Sequence, residues 1–150
     1  MRAPSPNRVL IVAHHTAESP ELLEAVSRRA GEGPCTFTLL VPSRAPGRSR
    51  AGSGGEDPDT REAEERLEAA IPLISVAAGE AILGVVGSHE PLAAVQDALN
   101  LLGFDEVIIS MLPVRVSRWF RLDLPRKVRA LGVPVTEVIT SVHEADPTTA

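Results

Sequence analysis

Histidine and hydroxyl side chains stand at the ends of three apolar runs that read as β-strands, namely RVLIVA (8–13), AILGVVG (81–87) and DEVIIS (105–110). Imidazole can act as a general acid, a general base or a metal ligand. Because the carboxyl ends of parallel strands meet at one edge of a sheet, where ligands bind, we expect these side chains to gather there. The candidate binding residues are His14, His15, Thr16, Ser88, His89, Ser110 and Met111.

The histidines raise the question of a metal site. Zinc sites use several His, usually with carboxylate or thiolate ligands at a defined spacing, and no such spacing is present here. Adjacent residues on an extended segment point in opposite directions, so His14 and His15 are not expected to face one ion. The sequence therefore favours polar loop residues that cap helix N-termini or bind water, and predicts no metal ligand.

A second group of candidate residues lies in the basic segment VRVSRWFRLD (114–123), which follows the fourth predicted strand. Arg binds phosphate or carboxylate through two parallel hydrogen bonds, and Trp offers a stacking face for a base. The alternative is that Trp119 and Phe120 anchor the loop to the sheet while the Arg side chains are solvated. The candidate binding residues here are Arg115, Ser117, Arg118 and Trp119, with Arg121 as a further cation.

Five apolar runs predict the strands that must position these residues. The first of them, RVLIVA (8–13), is short and continuous, which is typical of a strand buried on both faces. Strands that alternate with helices indicate a parallel sheet with right-handed crossovers and helices on both faces. The fold class is therefore predicted to be α/β. The five runs are residues 8–13, 35–41, 81–87, 105–110 and 133–139.

Four amphipathic segments predict the helices between the strands. Ser19 is the predicted N-cap of the first, which ends at Gly31, and Asp123 is predicted to cap the last. Pro72 lies inside the second segment, which starts near residue 60, and is expected to kink the helix; the alternative is a helix that ends near Ile71. The third segment opens at Ser88, Glu90 and Pro91, and its predicted inward residues are Leu92, Val95, Leu99 and Leu102.

Length and composition place limits on the class of protein. A chain of 150 residues is predicted to form one domain, residues 1–150, with a core at about 7–140, a flexible Gly/Ser/Pro/Arg-rich loop at 42–59 and a frayed tail at 141–150. Net charge of −5 argues against a nucleic-acid or anionic-membrane binder. Cys35 is the only cysteine, and no signal peptide or membrane-spanning run is visible, so the predicted location is the cytoplasm.

Two segments, GSHEPLAAVQDALNLLGFDEVIIS (87–110) and PRKVRALGVPVTEVI (125–139), resemble the universal stress protein family of UspA-type domains. The first is similar to the family's stretch from third to fourth strand, and the second to its final helix and strand. The resemblance covers about residues 7–140. It implies an adenine nucleotide alpha hydrolase-like fold, with an open parallel five-stranded sheet in the order 3-2-1-4-5 and helices on both faces.

The resemblance does not extend to the family's ATP-binding glycines, which follow strand four as G-x2-G-x9-G-S/T and expose backbone N–H groups to phosphate. At this spacing the glycine positions fall on Ser110, Pro113 and Asp123. Pro113 has no N–H, and Asp123 brings a carboxylate to the helix N-terminus where phosphate would bind. The family's acidic residue near the end of strand one falls on His14, and Thr16 matches a hydroxyl position. We therefore predict that this mode of ATP binding is lost, which leaves an adenine nucleotide or small anion as the ligand to consider.

Three functional hypotheses follow. The first is a universal stress protein-like regulatory module that binds a small ligand and modulates an unknown protein partner. The second is an interaction module without a small ligand, which forms a homodimer through the apolar last strand (133–139) unless the C-terminal tail covers that edge. The third is a nucleotide-binding phosphohydrolase that uses His14 or His89. Since no catalytic constellation stands out, the chain is predicted not to be an enzyme.

Overall fold

The computed structural model describes residues 6–43, 58–113, 119 and 123–140, with only the backbone described at 58–60. The predicted loop at 42–59 lies mostly outside these residues and the predicted tail at 141–150 wholly so. The described elements are β1 (Asn7–Val12), α1 (Pro20–Ala30), β2 (Cys35–Pro42), α2 (Pro58–Ala78), β3 (Leu83–Gly87), α3 (Pro91–Leu101), β4 (Glu106–Met111), α4 (Leu124–Arg129) and β5 (Val135–Ile139).

The sheet has the strand order β3-β2-β1-β4-β5, and every neighbouring pair is parallel, which confirms the predicted fold. β1 is the central strand: Ile11 pairs with Leu39 of β2 on one side and with Ile108 of β4 on the other. Its residues 9–12 are fully buried, which explains why the sequence of β1 is a continuous apolar run without alternation.

Helices cover both faces of the sheet. On one face Ile11 and Leu39 pack with Leu22 of α1 and Ile74 of α2. On the other, an apolar cluster joins the sheet to α3 and α4. The principal members of this second cluster are Leu10, Val12, Leu40, Val95, Ile109 and Val128. No described helix is both long enough and apolar enough to cross a membrane.

Most helix ends lie where the sequence predicts. The Ser19 hydroxyl accepts a hydrogen bond from the Leu22 N–H at 3.1 Å, which confirms the predicted N-cap of α1, and Gly31 follows the last residue of that helix. α2 continues through Pro72 to Ala78, so the alternative of a helix that ends near Ile71 is wrong. Leu102 was predicted to face inward, but α3 ends one residue earlier and leaves this side chain exposed.

An ion pair at the amino-terminal edge of the sheet joins α1 to β4. Arg29 donates through Nε and Nη2 to the two carboxylate oxygens of Glu106 at 3.0 and 2.8 Å, and Asn7 donates to the same carboxylate at 3.1 Å. Hydrogen bonding to Arg29 is the main cause that lowers the pKa of Glu106 below its ordinary value, against the opposing effect of burial. The pair therefore has a structural explanation, at the edge opposite to the candidate site.

Candidate functional site

The candidate site lies at the carboxyl edge of the sheet, between β1 and β4. The strand order reverses at this point, because β2 and β3 continue to one side of β1 while β4 and β5 continue to the other. In open α/β sheets the crevice at such a reversal is the usual ligand-binding position. The loop after β1 carries His14, His15 and Thr16, and the end of β4 carries Ser110 and Met111.

Two of the predicted site residues contact each other directly across this crevice. The hydroxyl oxygens of Thr16 and Ser110 lie 2.6 Å apart, within a hydrogen bond in which either group can be the donor. Thr16 is 4% exposed and Ser110 is 1% exposed. The pair therefore forms a buried link between the loop after β1 and the end of β4.

A second hydroxyl pair was not predicted from the sequence. Thr140, directly after β5, donates from its hydroxyl to the Ser19 hydroxyl at 2.9 Å and from its backbone N–H to the Met111 carbonyl at 2.8 Å. Ser19 at the same time accepts the capping bond from the N–H of Leu22. The two links together tie the start of α1 to the ends of β4 and β5. A threonine after a strand carries no signal for such a partner.

His14 faces helix α2. Its Nε2 lies 3.5 Å from a carboxylate oxygen of Glu62, and the other oxygen of Glu62 accepts a hydrogen bond from Arg66 at 3.0 Å. The side chains of His14, Glu62 and Arg66 are 12%, 32% and 23% exposed. Neither Glu62 nor Arg66 was predicted as a site residue, since Glu–Arg pairs four residues apart are common on helix surfaces.

The two adjacent histidines do not point in opposite directions. Their rings make an edge-to-face contact, with centroids 4.3 Å apart and planes at 79°. The expectation was wrong because it assumed an extended segment, whereas residues 14–17 form a turn in which Ala17 donates its N–H to the His14 carbonyl at 3.2 Å. Within the described residues, no three His, Cys, Asp or Glu side chains are arranged to hold a metal ion.

Ser88 and His89 follow β3, which β2 separates from β1 in the sheet. The Ser88 hydroxyl accepts the N–H of Glu90 at 3.1 Å, which forms a local turn before α3. His89 is exposed. The structure therefore places these two predicted residues on the same edge as His14, but on the far side of β2.

On the β4 side, the predicted residues divide into two groups. Met111 is buried in the apolar cluster beneath α3 and α4, and Trp119 is half-buried against the same cluster. This packing agrees with the anchoring alternative for Trp119, while its stacking on a ligand stays a prediction. Arg115, Ser117 and Arg118 lie outside the described residues, as do Phe120 and Arg121, and their predicted role is untested.

Asp123 precedes α4 but does not cap it as predicted. Its φ of 60° and ψ of 40° are left-handed, and its side chain makes no capping hydrogen bond. A capping side chain needs an extended backbone to reach the first N–H groups, so its carboxylate instead accepts a hydrogen bond from Arg126 at 3.0 Å. Among the described non-glycine residues, Asp123 alone has a positive φ, at a position where the resemblance places a glycine.

The sequence matches no family model and no curated protein. Several solved structures have a similar fold. A universal stress protein from Archaeoglobus fulgidus is 16% identical with a TM-score of 0.64, over 89% of this chain and 94% of that one. The Archaeoglobus fulgidus universal stress protein in complex with dAMP is 18% identical with a TM-score of 0.60, over 90% and 98%. A universal stress protein in complex with cAMP is 16% identical with a TM-score of 0.54, over 93% and 99%.

Proposed function

We propose that this chain, which has the fold of universal stress proteins, is a divergent member of that family and a non-enzymatic, cytoplasmic regulatory module that binds a small ligand. The ligand site is the crevice between β1 and β4, where the strand order reverses. The complexes of similar structures with dAMP and cAMP support an adenine nucleotide as the first ligand to test, with a small anion as the alternative. A protein partner of unknown identity receives the signal.

The strand-order reversal carries the position of the site, and the three positions where the family's ATP binders have glycine decide which ligand is expected there. Ser110 is buried and bonded to Thr16, and Pro113 has no N–H to donate. Asp123 holds a carboxylate, paired with Arg126, just before α4. We infer that a triphosphate would meet this carboxylate and would lack backbone donors, which argues against ATP binding in the family's mode.

Other side chains, which follow β1 and β4 in the sequence, remain for a ligand. His14 and His15 lie on the loop after β1, and the half-buried ring of Trp119 lies on the side of β4. In the sequence, Arg115 and Arg118 follow β4, and we infer that their side-chain charge replaces the missing backbone donors. We infer that a nucleotide with a short phosphate group suits this set better than a triphosphate.

Thermal unfolding with a panel of ligands tests the proposal. We expect AMP, dAMP or cAMP at one hundred times its dissociation constant to raise the Tm by about 5–10 °C, while ATP binds no more tightly than AMP. Arg118→Ala should reduce the shift, whereas Arg28→Ala, which removes an equal charge from the exposed face of α1, should preserve it. Lack of a shift with every nucleotide, phosphate and sulfate would exclude the ligand-binding function.

A homodimer through the last strand is the second candidate function. β5 is an edge strand, and it leaves Thr136, Glu137 and Ile139 exposed. An edge strand of this kind favours pairing with a second copy about a twofold axis. We expect light scattering to give the mass of a dimer at micromolar concentration, and Ile139→Lys to give that of a monomer. Thr36→Lys on the interior strand β2 is the control for the added charge, and a wild-type monomer would exclude this interface.

A further inference from the structure

His14 contacts helix α2, and two residues of that helix, Glu62 and Arg66, bear on the candidate site through this contact. Glu62 lies between His14 and Arg66, with one carboxylate oxygen 3.5 Å from the imidazole Nε2 and the other bonded to the guanidinium at 3.0 Å. We propose that Glu62, held by Arg66, is a positioning residue that fixes the orientation of the His14 ring for ligand binding. This inference rests on the proposed function.

The geometry suits positioning because one carboxylate oxygen of Glu62 is hydrogen-bonded to Arg66 while the other lies beside the His14 ring. Arg66, one helical turn away, restricts the rotamer of Glu62, so that the second oxygen is presented to the imidazole. A carboxylate beside one ring nitrogen favours the proton on that nitrogen, and therefore selects one tautomer and one ring orientation. At 3.5 Å the contact is an electrostatic one and not a hydrogen bond.

Burial distinguishes this arrangement from an ordinary surface pair. Glu24 and Arg28 on α1 have the same four-residue spacing, but their side chains are 71% and 68% exposed, and such exposed helix pairs contribute little. Glu62 and Arg66 are 32% and 23% exposed and border a histidine that is only 12% exposed. Water therefore screens the charges of Glu62 and Arg66 less than those of Glu24 and Arg28. The half-buried ion pair can then restrict the orientation of His14 in the loop after β1.

A double-mutant cycle on AMP affinity tests the positioning role. We expect Glu62→Gln, which keeps the shape and removes the charge, to weaken AMP binding about tenfold, the lower end of the loss seen when the supporting partner of a metal-binding histidine is removed. His14→Asn should weaken it at least as much, and the double variant no more than His14→Asn alone. Glu24→Gln, with the same change of charge on α1, should leave the affinity unchanged. Additive losses, or equal effects of Glu62→Gln and Glu24→Gln, would overturn the inference.

A ligand-free measurement separates this inference from the proposed function. The ¹⁵N and ¹H signals of the His14 ring should move in Glu62→Gln and stay in place in Glu24→Gln. Wild-type protein that binds neither AMP nor any other nucleotide or anion of the panel would overturn the proposed function. An unmoved His14 signal in Glu62→Gln would overturn the positioning role, whatever the wild-type protein binds.

Discussion

Gly87→Ala is expected to lower the free energy of unfolding by about 2 kcal/mol, which corresponds to a loss of about 4–8 °C in Tm for a chain of this size. A Cβ at Gly87 would lie 2.7 Å from Leu40 Cδ1 and 2.8 Å from Ala94 Cβ. Ala94 cannot move its methyl group without α3, so the helix must shift away from β3. Alanine is otherwise preferred to glycine in a strand by only about 0.5–1 kcal/mol, which does not offset the clash.

Gly31→Ala is the matched control, because the same methyl group would there meet nothing closer than 3.6 Å and the φ of Gly31 is −80°. We expect its effect to lie within about 0.5 kcal/mol of zero, measured by chemical denaturation under the same conditions. Ala94→Gly removes one of the two contacting methyl groups, so the double variant Gly87→Ala/Ala94→Gly should be more stable than the sum of the two single losses predicts. Equal stability of the two alanine variants would contradict the packing explanation.

The segment around Gly87 also shows why much of the fold could be predicted from the sequence. The strand at 81–87, the polar turn and the proline at 91 are local signals, and each is decided within a few residues. The same holds for β1, whose apolar run reflects burial on both faces, and for α1, whose Ser19 cap and Gly31 stop are confirmed. The strand order required more than periodicity and came from the family resemblance.

The candidate site could be predicted only as a location. Thr16 and Ser110 were both expected at the carboxyl edge, but their bond joins residues 94 positions apart, and no local pattern specifies it. His14 and Glu62 meet because a turn reorients the loop after β1, whereas an extended segment had been assumed. Asp123 was expected to cap α4 by residue type, yet its left-handed backbone directs the carboxylate to Arg126.

The largest expected effect at the site itself comes from separating the Thr16–Ser110 hydroxyl pair. Thr16→Val or Ser110→Ala should each lower the free energy of unfolding by about 1–3 kcal/mol, because each leaves the partner's hydroxyl buried without this hydrogen bond. Thr16→Val keeps the side-chain shape, so its loss reflects the hydrogen bond more than packing. Both hydroxyls are at least nine-tenths buried, so water cannot readily replace the missing partner.

The double variant Thr16→Val/Ser110→Ala distinguishes this explanation from a simple loss of packing. Removal of both hydroxyls leaves no unsatisfied polar group, so we expect the double variant to be more stable than the sum of the two single losses predicts. Thr36→Val is the control, since Thr36 is an exposed residue of β2 and the same replacement there should change stability by less than about 0.5 kcal/mol. Strict additivity, measured by urea denaturation, would mean that the two hydroxyls contribute independently and that the 2.6 Å contact does not hold the loop after β1 to the end of β4.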